Sequence, residues 1–245
     1  MSSIRLITFD ATGTLIQFKT PPVEQYARAA RKFGLEVDSK QLEPHFKTAF
    51  KLAAKQHPNF GRSGIGYENW WTKVVHETLQ NFIKNELDRK NLKQISQLLI
   101  KSFETREAWS LTPCASEILT DLKQRKVKLG IISNFDPRLR LILRNLNIDK
   151  FFNFLLLSYE VGFEKPDKRI FEEALSVSEV VSSESLHIGD NVINDYLAPR
   201  KAGWHSLLLS KSTPSEVNPQ HLVPSLDKLF GTIDQCSLKL SPLHV

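Results

Sequence analysis

The sequence predicts an α/β fold in which a parallel sheet is interrupted by an all-helical insert, and three observations predict it. Runs of Ile, Leu, Val and Phe at 4–9, 127–133, 154–158, 186–189 and 206–209 are continuous rather than alternating, as strands buried on both faces read. Stretches of helical period separate the later runs, so strand and helix alternate from about residue 111 onward. Residues 15–110 offer no comparable strand run and several helical patterns. Alternation calls for right-handed crossovers and a doubly wound, Rossmann-like sheet that binds ligands at the carboxyl ends of its strands.

In chain order, the run 4–9 is a strand that needs the later sheet, since one strand cannot fold alone. The insert follows, marked by Tyr67, Trp70, Trp71, Val74, Val75, Leu79, Phe82 and Ile83, then by Ile95, Leu98, Leu99 and Phe103. Its aromatic residues Trp70 and Trp71 read as core packing. Helices are then expected around Ile118, Leu119 and Leu122, around Leu139, Ile142, Leu143 and Leu146, and around Ile170, Phe171, Ala174 and Leu175. Asp136 reads as the N-cap of the second of these, with Pro137 at its first position and Arg138 within reach of a loop pocket. The tail beyond Asp234 has few such signals. The expected division is therefore 1–14 with 111–245 as the sheet domain and 15–110 as the helical domain.

The 245 residues are 41% hydrophobic and 24% charged, a globular composition. No apolar run approaches the ~20 residues of a membrane-spanning helix. The first residues leave no room for a signal peptide, so a cytoplasmic location and no membrane partner are expected. Cys114 and Cys236 lack metal or redox spacing and read as reduced thiols. The net charge is +6, and residues 15–110 carry all of it, with 16 Lys and Arg against 10 Asp and Glu. Basic residues adjoin only in pairs and no basic and aromatic stripe accompanies them, so no nucleic-acid partner is expected. A basic helical domain that helps gather an anionic substrate fits better, with solvated helix faces as the plain alternative.

Four polar clusters each follow a predicted strand. Asp10-Ala11-Thr12-Gly13-Thr14 places a carboxylate and a turn after the first run. Ser133-Asn134 ends the run 127–133, with a hydroxyl and backbone N–H groups suited to an anion. Glu164-Lys165-Pro166-Asp167 supplies a cation beyond the run 154–158. His187-Ile188-Gly189-Asp190 ends the next run, with Asp195 shortly after. The carboxylates suit a hard cation such as Mg²⁺. His187, inside an apolar strand, reads as a core or supporting histidine rather than a base.

In this order the clusters resemble the four motifs of the haloacid dehalogenase-like (HAD) hydrolase superfamily. The resemblance covers residues 1–15 and roughly 111–210, and the insert stands where that family carries its helical C1 cap. It implies a HAD core in which Asp10 attacks phosphorus and forms an aspartyl-phosphate that water then cleaves. It also implies Mg²⁺ held by Asp10, Asp190 and the Thr12 carbonyl oxygen. Ser133 and the Asn134 amide would bind the phosphoryl group of a small phosphorylated metabolite, and Lys165 would orient Asp10 and stabilise the phosphate. Asp195 is expected either beside the metal or in support of its loop.

One position departs from the family pattern. Its phosphatases carry a second Asp where this sequence has Thr12, and that Asp protonates the leaving group and later activates water. A hydroxyl does neither well at neutral pH, and losing such help costs about 10²–10⁴ in rate. The expectation is a weak Mg²⁺-dependent phosphoryl hydrolase or transferase, with a catalytically silent interaction or sensing module as the alternative. Haloacid dehalogenation and phosphonate cleavage rank lower. The former needs no metal, and the latter needs a cap lysine, for which Lys47, Lys51 and Lys55 are the candidates.

Overall fold

In the computed structural model, which describes residues 2–241, the apolar runs become the strands of one parallel sheet. The strands in chain order are β1 Ser2–Ile4, β2 Leu6–Phe9, β3 Ile16–Phe18, β4 Trp109–Leu111, β5 Lys128–Ser133, β6 Phe154–Leu157, β7 Ser185–Gly189, β8 His205–Leu209, β9 Leu222–Val223 and β10 Leu238–Leu240. Six form the main sheet in the order β6-β5-β2-β7-β8-β9, with each neighbouring pair parallel. Crossover helices hide both faces of such a sheet, and every residue of β2 and β7 is buried. The chain builds outward from β2 to β5 and β6, then returns to the other side of β2 as β7. The carboxyl end of β2 is therefore the topological switch point, where such sheets bind ligands.

Two expectations change at the chain ends. The run 4–9 is broken at Arg5, because Ile4 belongs to β1, which pairs in parallel with β10 in a separate two-stranded sheet. Arg5 instead donates its N–H to the Glu184 carbonyl oxygen at 2.9 Å and pairs through its guanidinium with the Glu184 carboxylate at 3.1 Å. The tail supplies β10 and, before it, the helix Leu229–Gln235, although three-residue strands leave almost no periodic signal.

The expected helices form as Ala115–Gln124, Arg138–Asn145 and Arg169–Ser178. The second begins one residue later than predicted, with Pro137 as its N-cap. Asp136 still receives the Arg138 N–H at 3.1 Å, and it also grips the Arg138 guanidinium at 2.7 Å. Both side chains are buried, so Arg138 is committed to Asp136 and is absent from the cavity described below. Phe171 packs with Leu6, Ile132, Ile170, Ala174 and Trp204 and meets the Trp204 ring edge-on at 5.6 Å.

Contacts divide the chain into Met1–Gln17 with Leu111–Val245, and Phe18–Ser110. Residues 15–17, expected in the insert, thus group with the sheet. The second unit contains the helices Pro22–Lys32, Ser39–Gln56, Pro58–Gly61, Gly66–Leu79 and Glu86–Ser102. Its core joins Tyr26, Ala30, Leu42, Leu79, Ile95 and Leu99, while Trp70 packs with Ala49, Ala53 and Val74 as expected of core. Lys47 is exposed and paired with Glu43 at 2.7 Å, an ordinary i,i+4 surface pair. No helix among the described residues is long and apolar enough to cross a membrane.

Phe171 is fully buried, and truncating such a ring leaves both lost burial and a cavity. Phe171→Ala is expected to lower the unfolding free energy by about 3–5 kcal/mol. Urea denaturation checks this, and an unchanged midpoint would contradict the packing.

Candidate active site

Four chain segments meet at the carboxyl end of β2. Asp10 directly follows β2 and donates its N–H to the Ile188 carbonyl of β7 at 2.9 Å, which anchors the residue to the sheet. The turn behind it depends on Gly13, whose φ is +84°. A Cβ at Gly13 would strike the Asp190 carboxylate, which would have to swing aside, and the positive φ itself calls for glycine.

Lys165 is the centre of the arrangement. Its Nζ donates to Asp10 Oδ1 at 2.8 Å, to Asp195 Oδ1 at 2.6 Å and to the Ile132 carbonyl of β5 at 2.7 Å. An ammonium has three N–H donors, and all three are used. Burial alone would depress the Lys165 pKa, but the carboxylates of Asp10 and Asp195 outweigh it and hold the amine above its ordinary value. With every donor committed, Lys165 acts on Asp10, and the expected direct contact with a phosphoryl group would require it to give up a bond.

The Asn134 side chain has a part of its own, separate from the one expected of its backbone amide. It receives the Lys165 N–H at 2.7 Å and donates to the Lys165 carbonyl at 2.8 Å, fastening that backbone at both ends. The Ser133 hydroxyl is the group left for a ligand, since it makes no hydrogen bond among the described residues. Asp10, Thr12, Ser133, Asn134, Lys165, Asp190 and Asp195 all line one cavity of about 140 Å³, together with Asn191 and Asn194. The sheet thus gathers these seven predicted site residues, while Arg138 stays outside.

Asp10, Asp190 and Asp195 present carboxylate oxygens within 4.8 Å of one another. Burial raises the Asp10 pKa, Lys165 opposes this, and the nearby Asp195 and Asp190 reinforce it. Burial and then the charge of Asp195 raise Asp190 likewise. Asp195 differs, because Lys165 and His187 overcome its burial and hold its carboxyl well below the usual range. Both of its oxygens are occupied: Oδ1 by Lys165 and His187, and Oδ2 by the Asn191 N–H at 3.0 Å. It therefore braces the site, while Oδ2, which accepts a single N–H, keeps acceptor capacity toward a cation. The wide helical turn Val192–Leu197 carries Asp195, closed by Asn191, whose side chain accepts from Ile193 and Asn194.

Sequence reasoning did not single out Gly189 as a spacing requirement. A Cβ there would fall 2.3 Å from Cγ of Asp195. The Gly-Asp pair at the end of β7 is its only sequence sign. Gly189→Ala is expected to displace Asp195, freeing one Lys165 donor and destabilising the fold by about 1–3 kcal/mol through overpacking. Thermal denaturation checks this, and wild-type stability would show that the site can yield.

Comparison with known proteins agrees with this geometry. The family model for haloacid dehalogenase-like hydrolase matches residues 4–203. The chain is 37% identical to the rhythmically expressed gene 2 protein of Drosophila melanogaster, with 92% of this chain and 94% of that protein covered. It is 36% identical to the human haloacid dehalogenase-like hydrolase domain-containing protein 3, with 94% of each covered. Among solved structures, the fold matches a 2-haloacid dehalogenase from Pseudomonas syringae with a TM-score of 0.67 at 22% identity, covering 95% of this chain and 99% of that one. It also matches the HAD-hydrolase YfnB from Bacillus subtilis bound to magnesium with a TM-score of 0.70 at 17% identity, over the same shares. With its sheet, its carboxyl-edge cavity and its sequence in agreement, the chain belongs to the haloacid dehalogenase-like hydrolase family.

Proposed function

We propose that the protein is a Mg²⁺-dependent phosphoryl hydrolase or transferase acting on a small phosphorylated metabolite through an aspartyl-phosphate on Asp10. Turnover is slow because Thr12 stands where an acid–base aspartate would serve. The observation that carries this reading is the state of Asp10. Lys165 holds Oδ1 at 2.8 Å, while Oδ2 makes no hydrogen bond among the described residues and the residue lines the cavity beside Ser133 and Asp190. A carboxylate so held has one oxygen oriented for in-line attack.

The donor set fits a hard divalent cation. Asp10 and Asp190 offer it carboxylate oxygens, and loss of hydration first, then the neighbouring carboxylates, raises the pKa of both. Asp10, Asp190 and the Thr12 carbonyl oxygen would hold it. When bound, it would offset the charge of the phosphoryl group and permit an anionic nucleophile to approach.

The remaining steps belong to side chains of the protein. The Asp10 oxygen forms a bond to phosphorus as the bond to the leaving oxygen breaks, while the Ser133 hydroxyl donates to a phosphoryl oxygen. Thr12 cannot protonate the leaving oxygen at neutral pH, and its buried hydroxyl has no hydrogen-bond partner among the described residues. The leaving group therefore departs as an anion, which favours aryl and acyl phosphates over alkyl esters. Water must then attack the aspartyl-phosphate without a base, so this intermediate is long-lived. The same residue supports a second reading, a silent module that binds phosphate or Mg²⁺ and signals through shape.

Two outcomes are expected. Phosphate release from an aryl phosphate requires Mg²⁺ and is abolished in Asp10→Asn; equal rates in wild type and variant would remove Asp10 from catalysis, and Asp10-dependent beryllofluoride binding without turnover would favour the silent module. Thr12→Asp raises alkyl monoester hydrolysis by about 10²-fold or more. No gain would assign the limit to the pocket.

A further inference from the structure

Behind Lys165 lies a second buried pair that the reaction does not touch. β2 and β7 are in register with Thr8 opposite His187, and Thr8 Oγ1 lies 2.8 Å from His187 Nδ1. On the other side of the ring, His187 Nε2 lies 3.2 Å from Asp195 Oδ1, the oxygen that also receives Lys165. Thr8 and His187 are both fully buried, and the Phe171 ring meets the imidazole edge-on at 5.5 Å. The imidazole is therefore held on three sides, with no solvent to supply a substitute hydrogen bond.

The direction of each bond follows from the groups at the ends. An ionised carboxylate only accepts, so Nε2 must carry the proton that bonds Asp195. Burial favours the neutral ring, pushing the His187 pKa down. A neutral ring with a proton on Nε2 has Nδ1 as an acceptor, and the Thr8 hydroxyl must then be the donor. Thr8 thus selects the tautomer, His187 fixes the Asp195 oxygen, and that oxygen takes one of the three donors of Lys165.

We infer that Thr8 and His187 are positioning residues that act on Asp10 through Asp195 and Lys165. They set which Asp10 oxygen is held and which is free to react. The hydrogen-bond order rests on the geometry and burial of the ring, whereas its effect on rate rests on the reaction proposed above. Neither residue has a chemical role of its own: no proton leaves the chain Thr8, His187, Asp195, Lys165.

The test combines a spectroscopic and a kinetic arm on the full-length protein. In ¹⁵N-histidine-labelled protein, long-range ¹H–¹⁵N correlation is expected to show His187 as the neutral tautomer protonated on Nε2. Thr8→Val, a near-isostere without the hydroxyl, should lose that single tautomer, and Thr8→Ser should restore it. With an activated aryl phosphate and Mg²⁺, Thr8→Val and His187→Phe should lower kcat by about 10–100-fold, as losses of supporting hydrogen bonds at a site do, with KM nearly unchanged. Thr8→Ser and His187→Gln, which keep a donor, should stay within about threefold of wild type. Urea midpoints for each variant separate misfolding from misplacement, and Thr8→Val serves if His187→Phe does not fold. A tautomer protonated on Nδ1 in the wild type, or Thr8→Val with the wild-type tautomer and kcat, overturns the inference. If the wild type itself has no Asp10-dependent turnover, the proposed reaction fails, and the tautomer arm alone decides the hydrogen-bond order.

Discussion

The site depends on one buried cation. Lys165 Nζ is bonded to Asp10, Asp195 and the Ile132 carbonyl, so a single ammonium braces groups delivered by β2, by the turn after β7 and by β5. An unpaired charge in such a place is strongly destabilising, and removing one partner of a buried pair commonly costs about 3–5 kcal/mol. The fold meets this cost with two carboxylates and a backbone dipole, and Asn134 prevents the Lys165 backbone from drifting. The parallel sheet matters because it brings the carboxyl ends of three neighbouring strands to one edge.

That brace explains why the local sequence is so restricted. Gly13 and Gly189 each stand where a Cβ would strike a carboxylate, that of Asp190 or Asp195. Acidic residues can approach this closely only where the backbone gives them room and a cation offsets their repulsion. Against this anionic background Thr12 has a double consequence. In the proposed reaction it leaves the site without an acid–base group, and it spares the cavity a further negative charge beside Asp10, whose carboxyl pKa burial already pushes up. Stability of the site and speed of proton transfer thus pull in opposite directions at one position.

Much of this was legible in the sequence, and the rest was hidden for physical reasons. The buried strands announced themselves by continuous apolar runs, and the four polar clusters by following them. Asp10, Ser133, Lys165 and Asp190 accordingly converge in one cavity. What periodicity cannot show is cross-strand register, and for that reason the facing of Thr8 and His187 was not readable. Nor can it show how a donor spends its hydrogen bonds: Lys165 looks like a phosphate ligand in sequence, yet its three donors go to other groups of the protein, as do the side-chain atoms of Asn134. β9 and β10 escaped because strands of two or three residues carry no pattern. The boundary at 17 rather than 14 reflects Leu15 and Ile16, which are buried residues that mark a core position equally well in either unit.

The central claim is that Asp10 becomes a phosphorylated carboxylate that lasts because no residue replaces the acid–base aspartate. Mass spectrometry of protein quenched in acid during turnover of an acyl or aryl phosphate with Mg²⁺ tests it directly. The account predicts one phosphoryl group on the peptide containing Asp10, abundant in the wild type, absent in Asp10→Asn and depleted in Thr12→Asp. Turnover with no such adduct, or an adduct that persists in Asp10→Asn, would contradict it.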